Sequence, residues 1–309
     1  MSHPPSATHG SAAEDLTHYF KPSTHWDSSW YLSDNPLPPI LHGNKNISHV
    51  GSWRSTGSNK TLHGGVVFSD LSICWFTVES STPSADPNDI IAVKRKALYL
   101  PRPSPMQKEA LLEAHETYGE TIAAFAESYV GSGEVCARGE CWDLAHEAIK
   151  YFDNYDYVPK PVPSLSRTHG HLIFEGKATS KGDMAGRWRG GDDRVRRGDI
   201  VEWRSVKIKH VGAPPNSWAI LGDPDHTAII VRDSKPCQVA LDGQPLSPAD
   251  LGSLEVVEQS LHSQPDRKTY DLGAFVLGEM WIYRPVGMQA YLGTLLEPHC
   301  PRGVAALEI

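Results

Sequence analysis

The sequence predicts an α+β fold, in which a helical half precedes an antiparallel β half. Residues 105–129 and 141–154 carry apolar side chains at the three-and-four spacing of amphipathic helices. After residue 170, short apolar runs alternate with turn-forming residues, a pattern that is typical of β-strands. Helices and strands that occupy separate blocks of a chain favour the α+β class.

Composition excludes several classes of function. The chain has 309 residues, of which 39% are hydrophobic, and a formal net charge of −8. The hydrophobic fraction is enough for a sizeable core, and the negative charge argues against nucleic acids and anionic membranes as partners. Residues 1–20 contain no apolar signal-peptide core, and no run of about 18 apolar residues occurs, so we expect a cytoplasmic protein without membrane insertion.

The five cysteines predict free thiols rather than a disulfide framework, because their number is odd and they are scattered along the chain. The lack of any CxxC pair argues against a structural zinc site. His169 and His171 are spaced like a metal-binding pair, but no third ligand is near in sequence. We therefore expect neither a metal nor a cofactor. Cys136, shortly before Cys141, is either a redox partner of that residue or a buried thiol.

Three segments are predicted along the chain. Residues 1–14 are expected to form a disordered lead-in. Residues 15–104 are expected to form a β-rich aromatic extension, and its clearest strands are 65–68 and 73–78. Three prolines between residues 101 and 105 mark a boundary, and residues 105–309 are expected to form the main domain.

The main domain opens with a helix over 105–129, which Gly131-Ser132-Gly133 ends. A second helix is predicted to begin at Cys141 and to end near Asn154. Residues 158–185 are expected to be loop-like, with one short apolar run at 171–174. The remaining β elements expected are strands at 200–203, 226–231, 254–259 and 274–283, and a hairpin at 238–243.

A cysteine at the start of the second helix is the first candidate catalytic residue. Gly139 provides a turn that brings Cys141 to the first turn of that helix. The unpaired backbone N–H groups and the helix dipole there favour an anion, and therefore favour thiolate over thiol. A thiolate nucleophile needs a base, and the second candidate is His226, which opens an apolar β-type run later in the chain.

A base histidine also needs an acceptor that fixes its tautomer. Alternation along the predicted strand 254–259 places Glu258 and Ser260 on one face and Gln259 on the other. We therefore expect Cys141 to be the nucleophile, His226 the base and Glu258 the orienting residue, with backbone N–H groups at the helix start in an oxyanion hole. The secondary candidates are Glu140, Trp142, Asp225, Gln259 and Ser260.

A charged stretch over 187–209 contains eight basic and four acidic residues. Mixed charge of this kind is typical of a solvated face. The alternative for its first part, 188–192, is a flexible lip over the binding groove.

At these residues the chain resembles the Cys- and His-dependent amidohydrolase/peptidase (CHAP) group and its NlpC-type relatives, within the papain-like superfamily. The matching positions are Cys141 at a helix start, Gly198-Asp199-Ile200-Val201 at the first strand, His226 at the second and Glu258-Gln259-Ser260 on the third. Ser260 stands where the group often has Asn. The resemblance implies a papain-like core of helix plus antiparallel sheet over about 105–285, preceded by the β-rich N-terminal extension.

Four motifs make the chain similar to the cysteine-proteinase-fold domain of fungal myosin-tail-region-interacting proteins. They lie at 139–145, 168–171, 197–203 and 222–228. In that family the domain is at the C-terminal end of longer cortical actin-patch proteins, often with an SH3 domain upstream. The resemblance implies a cytoplasmic context with cortical actin-associated proteins as partners. No SH3-like pattern is visible in this chain, which predicts a standalone or excised domain.

Three functions are consistent with these features. The first is a cysteine hydrolase or acyl-transfer enzyme that cleaves an amide or peptide-type bond of a peptide or protein substrate. The second is a catalytically silent papain-like domain that binds a protein partner. The third is an enzyme of small-molecule or peptide metabolism, because one fold and one triad perform many chemistries.

Overall fold

The computed structural model describes residues 9–34, 36–179, 181–212, 214, 217–237, 241–261 and 263–309. The predicted hairpin at 238–243 falls partly on residues 238–240, which lie outside the described residues. The helices are α1 (Ala12–Tyr19), α2 (Lys108–Ala114), α3 (Glu120–Ser128), α4 (Cys141–Lys150), α5 (Pro248–Leu251) and α6 (Met288–Leu292). The strands are β1 (Ile47–Thr56), β2 (Asn59–Phe68), β3 (Ile73–Ser80), β4 (Val93–Leu100), β5 (His171–Ala178), β6 (Met184–Trp188), β7 (Ile200–His210), β8 (Ala219–Ile230), β9 (Ser253–Ser260), β10 (Ser263–Asp271), β11 (Leu277–Arg284) and β12 (Leu307–Glu308).

The chain divides into two units. The first comprises the described residues up to Pro103 together with Leu165–Arg167 and Gln289–Ile309, and the second comprises Ser104–Ser164 and Thr168–Met288. Each unit contains an antiparallel sheet and helices. This arrangement confirms the predicted α+β class.

The first unit is a five-stranded sheet in the order β1-β2-β3-β4-β12, with α1 packed against β3 and β4. Residues 12–14 were expected to be disordered, but they form the first turn of α1. The Ser11 side chain accepts a hydrogen bond from the Glu14 N–H, and Ala13 is buried. An N-cap of this kind together with one buried face stabilises a short helix.

The C-terminal residues also differ from expectation, because they were assigned to the main domain. Leu307 pairs with Tyr99 and Glu308 with Leu98, so β12 is an edge strand of the first unit. The hydrogen bonds of these pairs place Gln289–Ile309 with the N-terminal sheet.

The second unit contains a seven-stranded sheet in the order β10-β9-β8-β7-β11-β5-β6. Strand β10 pairs in addition with β7, where Tyr270 lies opposite His210 and Asp271 opposite Lys209. Strands β7 to β10 therefore close into a small barrel. The residues predicted as a loop over 158–185 include β5 and the start of β6, whose neighbours in the sheet satisfy their backbone groups.

The predicted helix over 105–129 is interrupted. Between α2 and α3, residues His115–Gly119 form a π-helical turn. Gly119 lies in this turn and packs closely against the backbone just before β7. A Cβ on Gly119 would come within 2.7 Å of the Arg197 carbonyl oxygen. π-Helical turns commonly accommodate such local constraints at functional sites.

A buried charge cluster organises the stretch that was expected to be a solvated face or a flexible lip. Arg284 donates Nε and Nη2 to the two carboxylate oxygens of Asp199, each at 2.9 Å, and donates Nη1 to Asp192. Arg196 binds the same Asp192 through two further hydrogen bonds. Arg284, Asp192 and Asp199 are almost fully buried, and so is Trp188. Both expectations for 188–192 are wrong, because Trp188 and Asp192 are buried. The arginine that neutralises Asp192 lies on β11, far away in sequence.

Replacement of Gly198 by alanine tests the contact between the π turn and the start of β7. Gly198 has a φ of +89°, and a Cβ there would overlap the backbone of Gly119. We expect Gly198→Ala to lower the free energy of unfolding by at least about 3 kcal/mol, because overlap adds to the cost of roughly 1–2 kcal/mol for a left-handed residue with a Cβ. Urea denaturation measures this difference.

Gly131→Ala is the matched control. Gly131 has a φ of +74°, but nothing lies within 4 Å of a Cβ placed on it. Gly131→Ala should therefore lower the free energy of unfolding only by the cost of a left-handed alanine. Equal destabilisation by the two substitutions would contradict the inferred close packing.

Candidate active site

Cys141 is the first residue of α4, as the motif predicts. Glu140 is the N-cap, and a capping box links the Glu140 and Asp143 side chains with each other's backbone N–H groups. The Asp143 carboxylate also accepts hydrogen bonds from the Arg138 backbone and side chain. Cys141 is half-buried, so its thiol is held at a well-capped helix start and remains accessible.

Gln259 holds the loop that precedes the nucleophile. Its Oε1 accepts from the Cys136 N–H at 2.9 Å, and its Nε2 donates to the carbonyl oxygens of Cys136 and Glu140 at 3.0 and 2.9 Å. This buried side chain ties β9 to both ends of the turn before Cys141. Cys136 is a buried thiol, which agrees with the second of its two predicted interpretations, and burial raises its pKa.

His226 lies on β8 where that strand separates from β9. Among the described residues the two strands pair at Ile229–Val257 and Ile230–Val256 only. Continuation of that register would place His226 opposite Ser260, but no pairing occurs there. Helix α4 packs against both strands. Cys141, the first residue of α4, therefore lies on a helix that packs against the strands carrying His226 and Glu258.

Glu258 holds the His226 ring, and Tyr270 holds Glu258. The Nε2 of His226 lies 3.0 Å from Glu258 Oε2, and Tyr270 Oη donates to Glu258 Oε1 at 2.7 Å. Cys141 lies near the ring and is one of the groups that raise the pKa of His226. The structure therefore brings together the three residues predicted as nucleophile, base and orienting residue, and adds a tyrosine that fixes the orienting carboxylate.

Electrostatics favour a charged histidine in this site. Burial lowers the pKa of His226, but hydrogen bonds to Cys141 and Glu258 and the charge of Glu258 outweigh it and raise the pKa to about 10. Burial likewise raises the pKa of Glu258, but the hydrogen bonds from His226 and Tyr270 reverse this effect and lower it. Together these effects favour the imidazolium form of His226 beside the Glu258 carboxylate.

The secondary candidates have other roles. Ser260 Oγ bonds to Ser263 Oγ at 2.8 Å instead of reaching His226. Asp225 accepts a hydrogen bond from Arg204 at 3.1 Å. The Trp142 ring stacks on His146 with a centroid separation of 4.2 Å. Glu140 and Gln259, as described above, position the backbone before Cys141.

Tyr270 is the residue that the sequence did not identify. It lies on β10, a strand whose side chains are mostly exposed, and Tyr270 and Pro265 are its buried residues. The apolar alternation that predicts a strand is therefore missing. The available signal in the sequence was a tyrosine between polar residues. If such a tyrosine is buried, its hydroxyl needs a hydrogen-bond partner.

The His169-Gly170-His171 motif does not form a metal site. His169 is fully buried, its Nδ1 bonds to Ser164 Oγ, and its Nε2 lies 3.5 Å from Glu202 Oε2. Burial lowers the pKa of His169 to about 3, so it is neutral. His171 Nε2 bonds to the Arg189 carbonyl oxygen at 3.0 Å. Within the described part of the chain, no group of three or more potential metal ligands occurs.

The family comparison agrees with this geometry. A family model described as the AIM3/BBC1 cysteine proteinase-fold domain matches residues 94–296, which is well over half of the chain. The chain belongs to the AIM3/BBC1 cysteine proteinase-fold family. This membership confirms the fungal family and the cysteine proteinase fold that the four motifs predict.

One curated relative of this AIM3/BBC1 domain is "Altered inheritance of mitochondria protein 3" of Debaryomyces hansenii. It is 26% identical over 205 residues, which is 64% of this chain and 20% of that protein. The chain therefore spans about a fifth of the length of its relative. No solved structure shows a significant match. Among the described residues, no helix is both long enough and apolar enough to cross a membrane.

Loss of the Glu258 charge should lower the pKa of His226. In Glu258→Gln the side chain still has an oxygen for Nε2, but the Coulombic attraction that favours the imidazolium is absent. We expect the titration midpoint of His226 to fall by at least about 1 pH unit, since an opposite charge at this range shifts a pKa by 1–3. The ¹⁵N chemical shifts of the imidazole ring, followed from pH 5 to 11, measure it.

Glu255→Gln is the control for this titration. Glu255 is on the same strand but pairs with Arg267 at the surface. Its replacement should leave the His226 midpoint unchanged. An unchanged midpoint in Glu258→Gln would mean that the His226–Glu258 pair is not formed in solution.

Proposed function

We propose that the chain is a cysteine hydrolase or acyl-transfer enzyme that acts on an amide or peptide-type bond. The observation that carries this proposal is the placement of Cys141 at the start of α4, next to a His226 ring whose Nε2 lies 3.0 Å from Glu258. A thiol beside an imidazolium at a helix start meets the requirements of an activated nucleophile. The bond is expected to belong to a peptide or protein.

In the first step, the Cys141 thiolate attacks the acyl carbon of the amide. The backbone N–H groups of Cys141 and Trp142 lie in the first turn of α4, where helices have no internal acceptors, and they face the developing oxyanion. As the C–N bond breaks, the departing amine takes the proton of the His226 imidazolium. The acyl group remains on Cys141 as a thioester.

In the second step, neutral His226 accepts a proton from a water molecule or from an acceptor nucleophile, whose oxygen or nitrogen attacks the thioester. The C–S bond breaks, the product leaves, and the Cys141 thiolate and His226 imidazolium are restored. Because Glu258 occupies Nε2, the exchanged proton is that of Nδ1. Glu258 and Tyr270 keep the ring in this orientation throughout.

The chain order and the site favour a CHAP or NlpC-type arrangement of the cysteine proteinase fold. The cysteine opens a helix, and the base and the orienting carboxylate lie on strands of an antiparallel sheet. By analogy with its fungal family, the domain acts in the cytoplasm among cortical actin-associated proteins.

Alkylation of Cys141 tests the activated thiol. Iodoacetamide at pH 6.5 should label Cys141 faster than the other half-buried cysteines, because Cys141 alone among them lies at a helix start next to His226. His226→Ala should reduce the Cys141 rate by about tenfold or more, in line with typical general-base contributions. Peptide mapping by mass spectrometry gives the rate at each site.

Cys237 is the internal control in the same experiment. It is also half-buried and lies outside the site, so its rate should not change in His226→Ala. Equal labelling rates of Cys141 and Cys237, with no effect of His226→Ala, would contradict the proposed enzymatic function. That result would favour a protein-binding module.

A further inference from the structure

Five aromatic rings form a continuous row on the surface of the second unit. The centroid separations are 5.5 Å for Phe125–Tyr129, 5.8 Å for Phe125–Tyr151, 5.4 Å for Tyr151–Tyr155 and 5.5 Å for Tyr155–Tyr157. We call these five residues the aromatic strip. Such spacings are those of interacting rings, so the strip is an ordered surface.

The strip borders a groove with a volume of about 630 Å³, which is lined by Phe125, Tyr129 and Tyr151 and rimmed by Glu120 and Glu134. Tyr151 is 36% exposed and Tyr157 is 82% exposed. A contiguous apolar surface with a polar rim is typical of an interaction site. The reaction proposed above makes no use of it.

The groove is separate from the nucleophile. Cys141 is the first residue of α4, and Tyr151 directly follows its last residue, Lys150. Ten helical residues extend about 15 Å. A ligand of the aromatic strip therefore does not need to contact Cys141.

Exposed carboxylates lie along the strip. The nearest basic side chains are already engaged, since Lys160 donates to the carbonyl oxygens of Asp153 and Tyr155. Glu120 and Glu127 pair with Arg197. Glu134, Asp153 and Asp156 are exposed near the rings. This charge selects a cationic partner and argues against single-stranded nucleic acid, which also stacks on aromatic rows.

We propose that the aromatic strip binds a proline-rich segment of a partner protein that carries lysine or arginine side chains. Proline rings pack on the flat faces of tyrosines, and the polyproline II helix is already extended, so little entropy is lost on binding. Its carbonyl groups have no internal hydrogen bonds and accept from tyrosine hydroxyls. The basic side chains pair with the exposed carboxylates.

The geometry of the groove favours this ligand over the other common peptide modes. The lining residues belong to α3 and to the loop after it, together with Tyr151, which directly follows α4. A peptide strand has no sheet edge to extend at this position. Grooves that receive amphipathic helices are lined by aliphatic side chains and methionine, whereas the large apolar side chains that line this groove are Phe125, Tyr129 and Tyr151.

Four peptides test the proposal. A fluorescein-labelled peptide of Pro-Pro-Lys repeats contains both expected features, Ala-Ala-Lys repeats keep only the charge, Pro-Pro-Glu repeats keep only the conformation, and Ala-Ala-Glu repeats lack both. Fluorescence anisotropy with the full chain measures the affinities. We expect Pro-Pro-Lys to bind at least about tenfold more tightly than each of the others, a difference of about 1.4 kcal/mol, and to weaken at higher salt.

Variants locate the binding surface. Tyr157→Ala should weaken Pro-Pro-Lys binding several-fold, and Tyr157 is so exposed that its loss leaves the fold intact. Glu134→Gln should weaken binding and reduce its salt dependence. The matched controls are Ile220→Ala, an exposed apolar residue on β8, and Glu116→Gln, an exposed carboxylate outside the groove. Neither control should change the affinity.

Three results would overturn the proposal. One is the absence of Pro-Pro-Lys binding. The second is an affinity of Ala-Ala-Lys or Pro-Pro-Glu equal to that of Pro-Pro-Lys. In the first case charge attraction alone would explain binding, and in the second the carboxylates would take no part. The third is an unchanged affinity in both Tyr157→Ala and Glu134→Gln, which would place the ligand elsewhere on the chain.

Discussion

A buried arginine holds together the part of the second unit on which the site is built. Arg284 at the end of β11 neutralises Asp199 at the start of β7 and Asp192 before it. Buried carboxylates without such a partner cost several kcal/mol. Strand β7 in turn pairs with β8, β10 and β11 and so fixes the position of His226 opposite Trp203. The geometry of the candidate site therefore depends on a charge cluster that contains none of the candidate site residues.

The small barrel explains how His226 is buried and held in place. Closure of β10 on β7 encloses Glu258 and Tyr270, so their hydrogen bonds form in a poorly solvated environment where charge interactions are strong. The pairing of β8 with β9 at Ile229 and Ile230 ends before His226, and α4, which begins with Cys141, packs against both strands. Gln259 connects these two features, because it lies on β9 and holds the loop before the cysteine.

Local sequence patterns predicted the residues of the candidate site. The features that they did not predict depend on contacts between residues far apart in sequence. Cys141, His226 and Glu258 were identified from a helix start and from strand alternation, which are properties of a few adjacent residues. Strands β1 and β10 were missed because few of their side chains are buried and no apolar alternation appears. The burial of Asp192 depends on Arg284, and no local pattern shows that a charged stretch will meet a partner so distant in sequence.

The path of the chain has a consequence for proteolytic activation. The first unit combines residues up to Pro103 with Leu165–Arg167 and Gln289–Ile309, so its segments come from both sides of the second unit in the sequence. Cleavage after Leu100 would leave β4 paired with β12, and the two fragments would remain connected through the sheet of the first unit. Covalent separation of the first unit from the second would therefore need a cut on each side of the second unit.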